Sequence, residues 1–266
     1  SNAKLILSRN CMLNVKQMTM KIPRVLTYSH LQRIVLGVLC LDHVSWPHIN
    51  TLSFVYPPLF CGHNMEPDAI DEQMLADIER TMRYFGQNMR RIVELNLTRE
   101  KNENIEDLVY ANLASIYCGQ LQVLRAAAPV VLNFSYFRNI AVLDLSLDST
   151  EAPVIPSVCG ETLKVLRLYN VPRNFAWHYF RYDFYARPIM FRRLTILHLS
   201  YERKLATAAE IQSKAASGAL NCDQLVFPAL IRLTIENCTP DYDLPYAEAP
   251  FTELKRIHIL GALDDI

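Results

Sequence analysis

One short pattern, apolar-x-x-apolar-x-apolar, recurs along the chain. It reads Val15-Met18-Met20, Ile49-Leu52-Phe54, Ile92-Leu95-Leu97, Leu121-Leu124-Ala126 and Ile140-Leu143-Leu145. It continues as Leu163-Leu166-Leu168, Leu194-Leu197-Leu199, Leu230-Leu233-Ile235 and Leu254-Ile257-Ile259. Side chains alternate between the two faces of a strand, so the fourth and sixth residues of each motif share one face, which the pattern predicts to be buried. The first residue packs inward at the strand start, and the third and fifth point to the opposite side. One short strand cannot bury an apolar face alone, whereas strands stacked side by side build a continuous core. Parallel neighbours also need a crossover connection, so each gap must carry the chain back across the sheet.

First positions are spaced by 19 to 43 residues, and the longer gaps carry helical periodicity. Leu31, Ile34, Val35, Val38 and Leu39 share one helical face. Ile70, Met74, Ile78, Met82, Phe85 and Met89 mark a longer helix, with Pro67, Asp68, Asp71 and Glu72 near its start and Arg90-Arg91 at its end. That charge order suits the helix dipole. Ile105, Leu108, Val109, Leu113, Ile116 and Tyr117 mark a third helix, and an alanine-rich one over Thr207 to Ala216 stops at Gly218. Ala128 to Tyr136 and Ala152 to Cys159 are too short for a full helix and predict extended or single-turn connections.

The stretches Leu163-Lys-Val-Leu-Arg-Leu168, Leu194-Thr-Ile-Leu-His-Leu199 and Leu230-Ile-Arg-Leu-Thr-Ile235 resemble a leucine-rich-repeat domain of the irregular, helix-containing kind. The Phe-x-x-Leu lead-ins at Phe191, Phe227 and Phe251 are similar to those of fungal F-box/leucine-rich-repeat-like proteins. The resemblance covers residues 12 to 260. It implies an α/β solenoid of about nine repeats, a curved parallel sheet with helices and irregular segments on its convex side. Residues 4–266 are then a single domain, and Ser1-Asn2-Ala3 has the look of a scar left by tag removal. The family's turn-forming Asn or Cys comes three positions after the last strand leucine. Only Cys238 fits that place; Asn170 and Asn237 fall one position early, and Pro23, Pro57 and Pro129 stand there in three other motifs. Differently built turns are therefore expected.

Composition narrows the function classes. The 27 Lys and Arg balance the 27 Asp and Glu, which disfavours a dedicated nucleic-acid binder, whose affinity comes mainly from neutralising phosphates. No apolar run approaches the roughly 20 residues needed to span a bilayer. Seven scattered cysteines read as reduced thiols of a cytoplasmic or nuclear protein, although Asn96-Leu-Thr, Asn133-Phe-Ser and Asn237-Cys-Thr match the glycosylation sequon. Cys40-x-x-His43, His48 and Cys61-x-His63 lack the paired spacing of a zinc site, so no metal or other cofactor is expected. Phosphate-loop, dinucleotide and hydrolase motifs are absent from the sequence, and the chain is read as a binding module rather than an enzyme.

Function should then lie at the positions the leucines do not occupy. Position three of the central motifs reads Val123, Val142, Val165 and Ile196; position five reads Arg125, Asp144, Arg167 and His198; Tyr169 stands next outward in its motif. This predicts an apolar stripe bordered by charge on the concave side, a pattern typical of interaction sites. A second candidate is the aromatic run Phe175 to Phe191, containing Trp177, with Arg181 and Arg187 interleaved and Arg173 adjacent. The expected partner is a protein. By family resemblance the chain is the substrate-receptor part of an F-box-type ubiquitin-ligase adaptor, reaching a Skp1-type partner through an F-box that is not readable in this chain. Two alternatives are an RNA-binding module using the Arg/aromatic segment 173–193 and a non-catalytic regulator of a small GTPase.

Overall fold

A computed structural model of the chain describes residues 15–21, 46–55, 76, 83–97, 114–128, 137–147, 157–171, 189–201, 225–238 and 253–261. Every one of the nine motifs becomes a strand. These are β1 (Gln17–Lys21), β2 (Thr51–Val55), β3 (Glu94–Leu97), β4 (Val123–Ala128), β5 (Val142–Leu147) and β6 (Val165–Val171). The short β7 (Ile189–Met190) then precedes β8 (Ile196–Tyr201), the short β9 (Leu225–Val226) precedes β10 (Arg232–Cys238), and β11 (Arg256–Gly261) follows. The chain divides into two compact units, residues 1–121 and 122–266. Within the first, the strand order is β1-β2-β3; within the second it is β4-β5-β6-β8-β10-β11. All described neighbour pairs are parallel, and the sheet is open. With helical residues between the strands, the class is α/β.

The strands align motif position against motif position. Val123, Val142, Val165, Ile196, Arg232 and Arg256 form one row across the second unit. In the first unit Gln17, Thr51 and Glu94 do the same. A backbone device sets this register. In seven motifs the carbonyl of the second position accepts hydrogen bonds from the N–H groups of the second and third positions of the next motif. Gln122 O takes Ala141 N at 2.8 Å and Val142 N at 2.9 Å; Ala141 O takes Lys164 N at 2.8 Å and Val165 N at 3.0 Å. The same fork recurs at Lys16, Asn50, Lys164, Thr195 and Ile231. Peptide groups therefore help fix the register at the strand start, and at Lys164 the Thr195 hydroxyl joins them, donating to the same carbonyl at 3.1 Å.

Period-two alternation then separates the faces as predicted. Position four (Leu52, Leu95, Leu124, Leu143, Leu166, Leu197, Leu233) and position six (Leu97, Ala126, Leu145, Leu168, Leu199, Ile235) are buried, as are the first positions from Ile49 to Leu230. Removing such a side chain from water is worth about 1.5–3 kcal/mol each, so the leucine columns dominate the energetics. At β11 the same positions, Ile257 and Ile259, are exposed.

A further buried row lies just upstream of the strands. Three residues before the first position stand Trp46, Met89, Phe137, Phe191 and Phe227, all buried. Their carbonyls close tight turns in three motifs: Trp46 O accepts from Ile49 N, Phe191 O from Leu194 N, and Phe227 O from Leu230 N. The rings of Phe191 and Phe227 stack at 5.5 Å with 13° between their planes. Just before these two residues, β7 and β9 pair in parallel as a second, two-stranded sheet. Two motifs start differently. Helical residues 114–117 and the single turn Ser157–Gly160 end in five-residue turns, with Leu121 N on Tyr117 O and Leu163 N on Cys159 O, both at 2.9 Å. Helical residues 76 and 83–88 fall within the stretch expected to be helical up to Met89. The helices expected over Leu31–Leu39 and Thr207–Ala216 lie outside the described residues.

Asn170 and Asn237 explain the displaced turn residues. Both adopt left-handed backbone, with φ of 52° and 56°, a region that Asn tolerates better than most side chains. The strand register shifts at each, between Leu168 and Val171 and between Glu236 and Cys238. Each Asn thus makes a bulge that ends the regular ladder, and its amide reaches back to the preceding strand: Asn170 Nδ2 donates to Ser146 Oγ at 2.8 Å, and Asn237 Nδ2 to the Tyr201 carbonyl at 3.1 Å.

Candidate binding face

The face opposite the leucines carries positions three, five and seven of β4, β5, β6, β8 and β10. Val123, Val142, Val165 and Ile196 stand side by side in the row expected from sequence, but each is half-buried. Neighbouring strands run only about 4.8 Å apart, so like side chains in a row cover each other's flanks and leave their tips outward.

The next row holds an ion cluster. Arg125, Asp144, Arg167 and His198 align across β4, β5, β6 and β8. Asp144 is buried because a guanidinium closes over it from each side. Arg125 Nε donates to Oδ2 at 3.1 Å, and Arg167 Nη1 donates to both carboxylate oxygens at 3.0 Å. The arginine side chains remain about a third exposed, at 34% and 33%. The sequence placed Asp144 on the outward face, and it does belong there; only its cross-strand neighbours make it inaccessible.

Tyr169, two residues beyond Arg167 on β6, is exposed, and its ring lies 5.3 Å from that of His198. Partial burial and the Asp144 charge raise the Tyr169 hydroxyl above the ordinary tyrosine range, with Arg167 opposing. His198 Nε2 is closed off from solvent and makes no hydrogen bond, although Glu236 Oε2 lies 3.4 Å away. That contact has the reach of an ion pair but not hydrogen-bond geometry, and it carries attraction only when the imidazole is protonated. Glu236 was not among the residues singled out from sequence. It lies beyond the six-residue motif, and its place is set by the pairing Glu236–Ser200.

The sequence candidates therefore divide in two. Val123, Arg125, Val142, Asp144, Val165, Arg167, Tyr169, Ile196 and His198 share one face. Trp177 and Arg181 lie outside the described residues, as does most of the segment 173–193. Of the Cys/His set considered for zinc, His48 is described and exposed, and among the described residues no group of three or more His, Cys, Asp or Glu is placed to hold a metal ion. Cys118 and Cys159 are free thiols. Burial pushes the Cys159 thiol up to about 12, the reverse of what a reactive cysteine needs. No helix among the described residues is long and apolar enough to cross a membrane. Comparison with protein-family models, curated proteins and solved structures finds no match to the chain.

Proposed function

We propose that this chain is a leucine-rich-repeat-type interaction domain that binds a protein partner on the face formed by positions three, five and seven of β4 to β10. The observation that carries the reading is the alignment of two rows. A half-buried aliphatic row, Val123-Val142-Val165-Ile196, runs beside the cluster Arg125-Asp144-Arg167. Apolar centres rimmed by polar groups and arginine are the usual make-up of protein-binding surfaces. The alternation of buried and outward positions and the shared register of successive motifs support the repeat assignment. The family resemblance adds the narrower role of a substrate receptor in an F-box-type ubiquitin-ligase adaptor, with a Skp1-type protein as second partner.

The test is a comparison of proteins retained from a cell extract by the wild-type chain and by Val142→Glu/Val165→Glu, with near-UV circular dichroism as the folding control. A carboxylate on each of two neighbouring strands opposes docking of an apolar surface. Retained partners should be lost by the folded double variant, and unchanged recovery would overturn the assignment of the binding face.

A further inference from the structure

We infer that β11 is an open edge that receives an extended strand from a partner protein, added in parallel and carrying the pattern apolar-x-acid-apolar-x-apolar. The contact is made at the sheet edge, so it stands or falls apart from the binding face proposed above.

β11 closes the strand order of the second unit. On β4, β5, β6, β8 and β10, positions four and six are buried at 5% exposure or less. The same positions of β11, Ile257 and Ile259, are 56% and 44% exposed. They share the core face of the sheet, not the outward one. A further strand with apolar residues at the same two positions would cover their open flank, as each strand does for the one before it.

The backbone fixes how such a strand enters. Ile231 O accepts Lys255 N and Arg256 N, both at 3.0 Å. Lys255 O is the equivalent carbonyl of β11, and no described residue donates to it. It is open to the N–H groups of positions two and three of an incoming segment, in the parallel register the other motifs of this unit share. Unpaired peptide groups along an edge strand are a ready template for pairing.

Charge selects the third position. Arg232 and Arg256 are exposed and aligned on neighbouring strands, where like charges oppose each other. Among the described residues neither has an ion-pair or hydrogen-bond partner. Glu236 lies against His198, and Glu253, on the turn before β11, pairs with neither arginine. Residues of one row do meet across strands in this molecule. Arg167 Nη1 reaches Asp144 at 3.0 Å, and in the position-three row Thr51 Oγ1 reaches Glu94 Oε2 at 3.4 Å. An acid at position three of an added strand therefore stands beside Arg256. A second copy of this chain fits less well, because its first strand, β1, offers Gln17 there.

The sequence of β3 supplies a probe, since Ile92-Val93-Glu94-Leu95-Asn96-Leu97 has the inferred pattern. A fluorescent, end-blocked peptide of residues 92–98 is titrated against the whole chain by anisotropy. It should bind. N-methylation at its Glu94, which removes the N–H meant for Lys255 O, should weaken binding about tenfold; this readout leaves the protein untouched. Arg256→Glu, at an exposed site, should weaken binding about threefold, the scale of a surface ion pair, and a peptide carrying Glu94→Lys should restore it. No binding, or binding indifferent to N-methylation or to the charge exchange, would overturn the inference. So would loss of binding in the folded Val142→Glu/Val165→Glu variant, which moves the peptide to the outward face. Self-association of the chain, read by sedimentation velocity, that excludes the peptide makes a second copy the occupant and also overturns it.

Discussion

Asn170 and Asn237 show how much one residue can decide in a repeating structure. A left-handed conformation costs an ordinary L residue about 1–2 kcal/mol, and both residues stand in it where the ladder must end. Asn170→Ala and Asn170→Gly lose the same amide bond to Ser146 but differ in backbone strain. The alanine variant should be about 1 kcal/mol less stable than the glycine variant, measurable from urea midpoints at equal slope. Equal stabilities would mean that the backbone relaxes out of the bulge. Asp144 is another residue whose character comes from its surroundings. In sequence it is one polar letter between two leucines; in the fold it is the buried centre of an ion triplet.

At the scale of the strand and its lead-in, the row at the third residue before each motif matters as much as the leucines. Phe227 is buried and stacked on Phe191. Phe227→Ala should cost about 3–5 kcal/mol, the usual range for a buried ring, and lower the unfolding temperature; a loss below about 1 kcal/mol would show that the stack is peripheral. Phenylalanine made this row visible in sequence at 191 and 227. At Trp46 and Met89 the same place was missed because any large apolar side chain fills it, and at Phe137 because isoleucine, Ile140, stands where the other two lead-ins have leucine. Before Leu121 and Leu163 the role passes to Tyr117 and Cys159, one residue further back, which breaks the spacing altogether. The strands themselves were legible throughout, since period-two alternation is a local property and the leucine columns enforce it. The candidate site was legible as rows, for the same reason. The closure of two arginines over Asp144 and the approach of Glu236 to His198 were not, because both depend on which strand lies beside which.

For the molecule as a whole, the buried weak acids predict an alkaline limit to stability. Cys159, in the second compact unit, is pushed up to about 12 from an ordinary 9 by burial. Tyr117, in the first, is raised far above its ordinary range for the same reason. A group whose folded value is raised leaves stability intact below its unfolded value and erodes it above, because the unfolded chain ionises first. The urea midpoint should therefore hold level up to about pH 9 from this cause and fall progressively towards pH 12. Cys159 should also resist alkylation at pH 9 in the native protein and react readily in denaturant. Native modification as fast as that of the denatured chain would contradict the burial that raises its pKa.

The forked carbonyl that recurs at the strand starts has a consequence for how such a chain can change over time. Because peptide groups at the strand starts hold successive strands in register, the segments between them can lengthen, shorten or exchange a helix for a single turn without moving the outward rows. Positions three, five and seven on successive strands then behave as a grid of addresses, each open to rewriting one codon at a time. New specificity can be acquired by substitution on the grid while insertions accumulate elsewhere, so the two kinds of variation do not interfere.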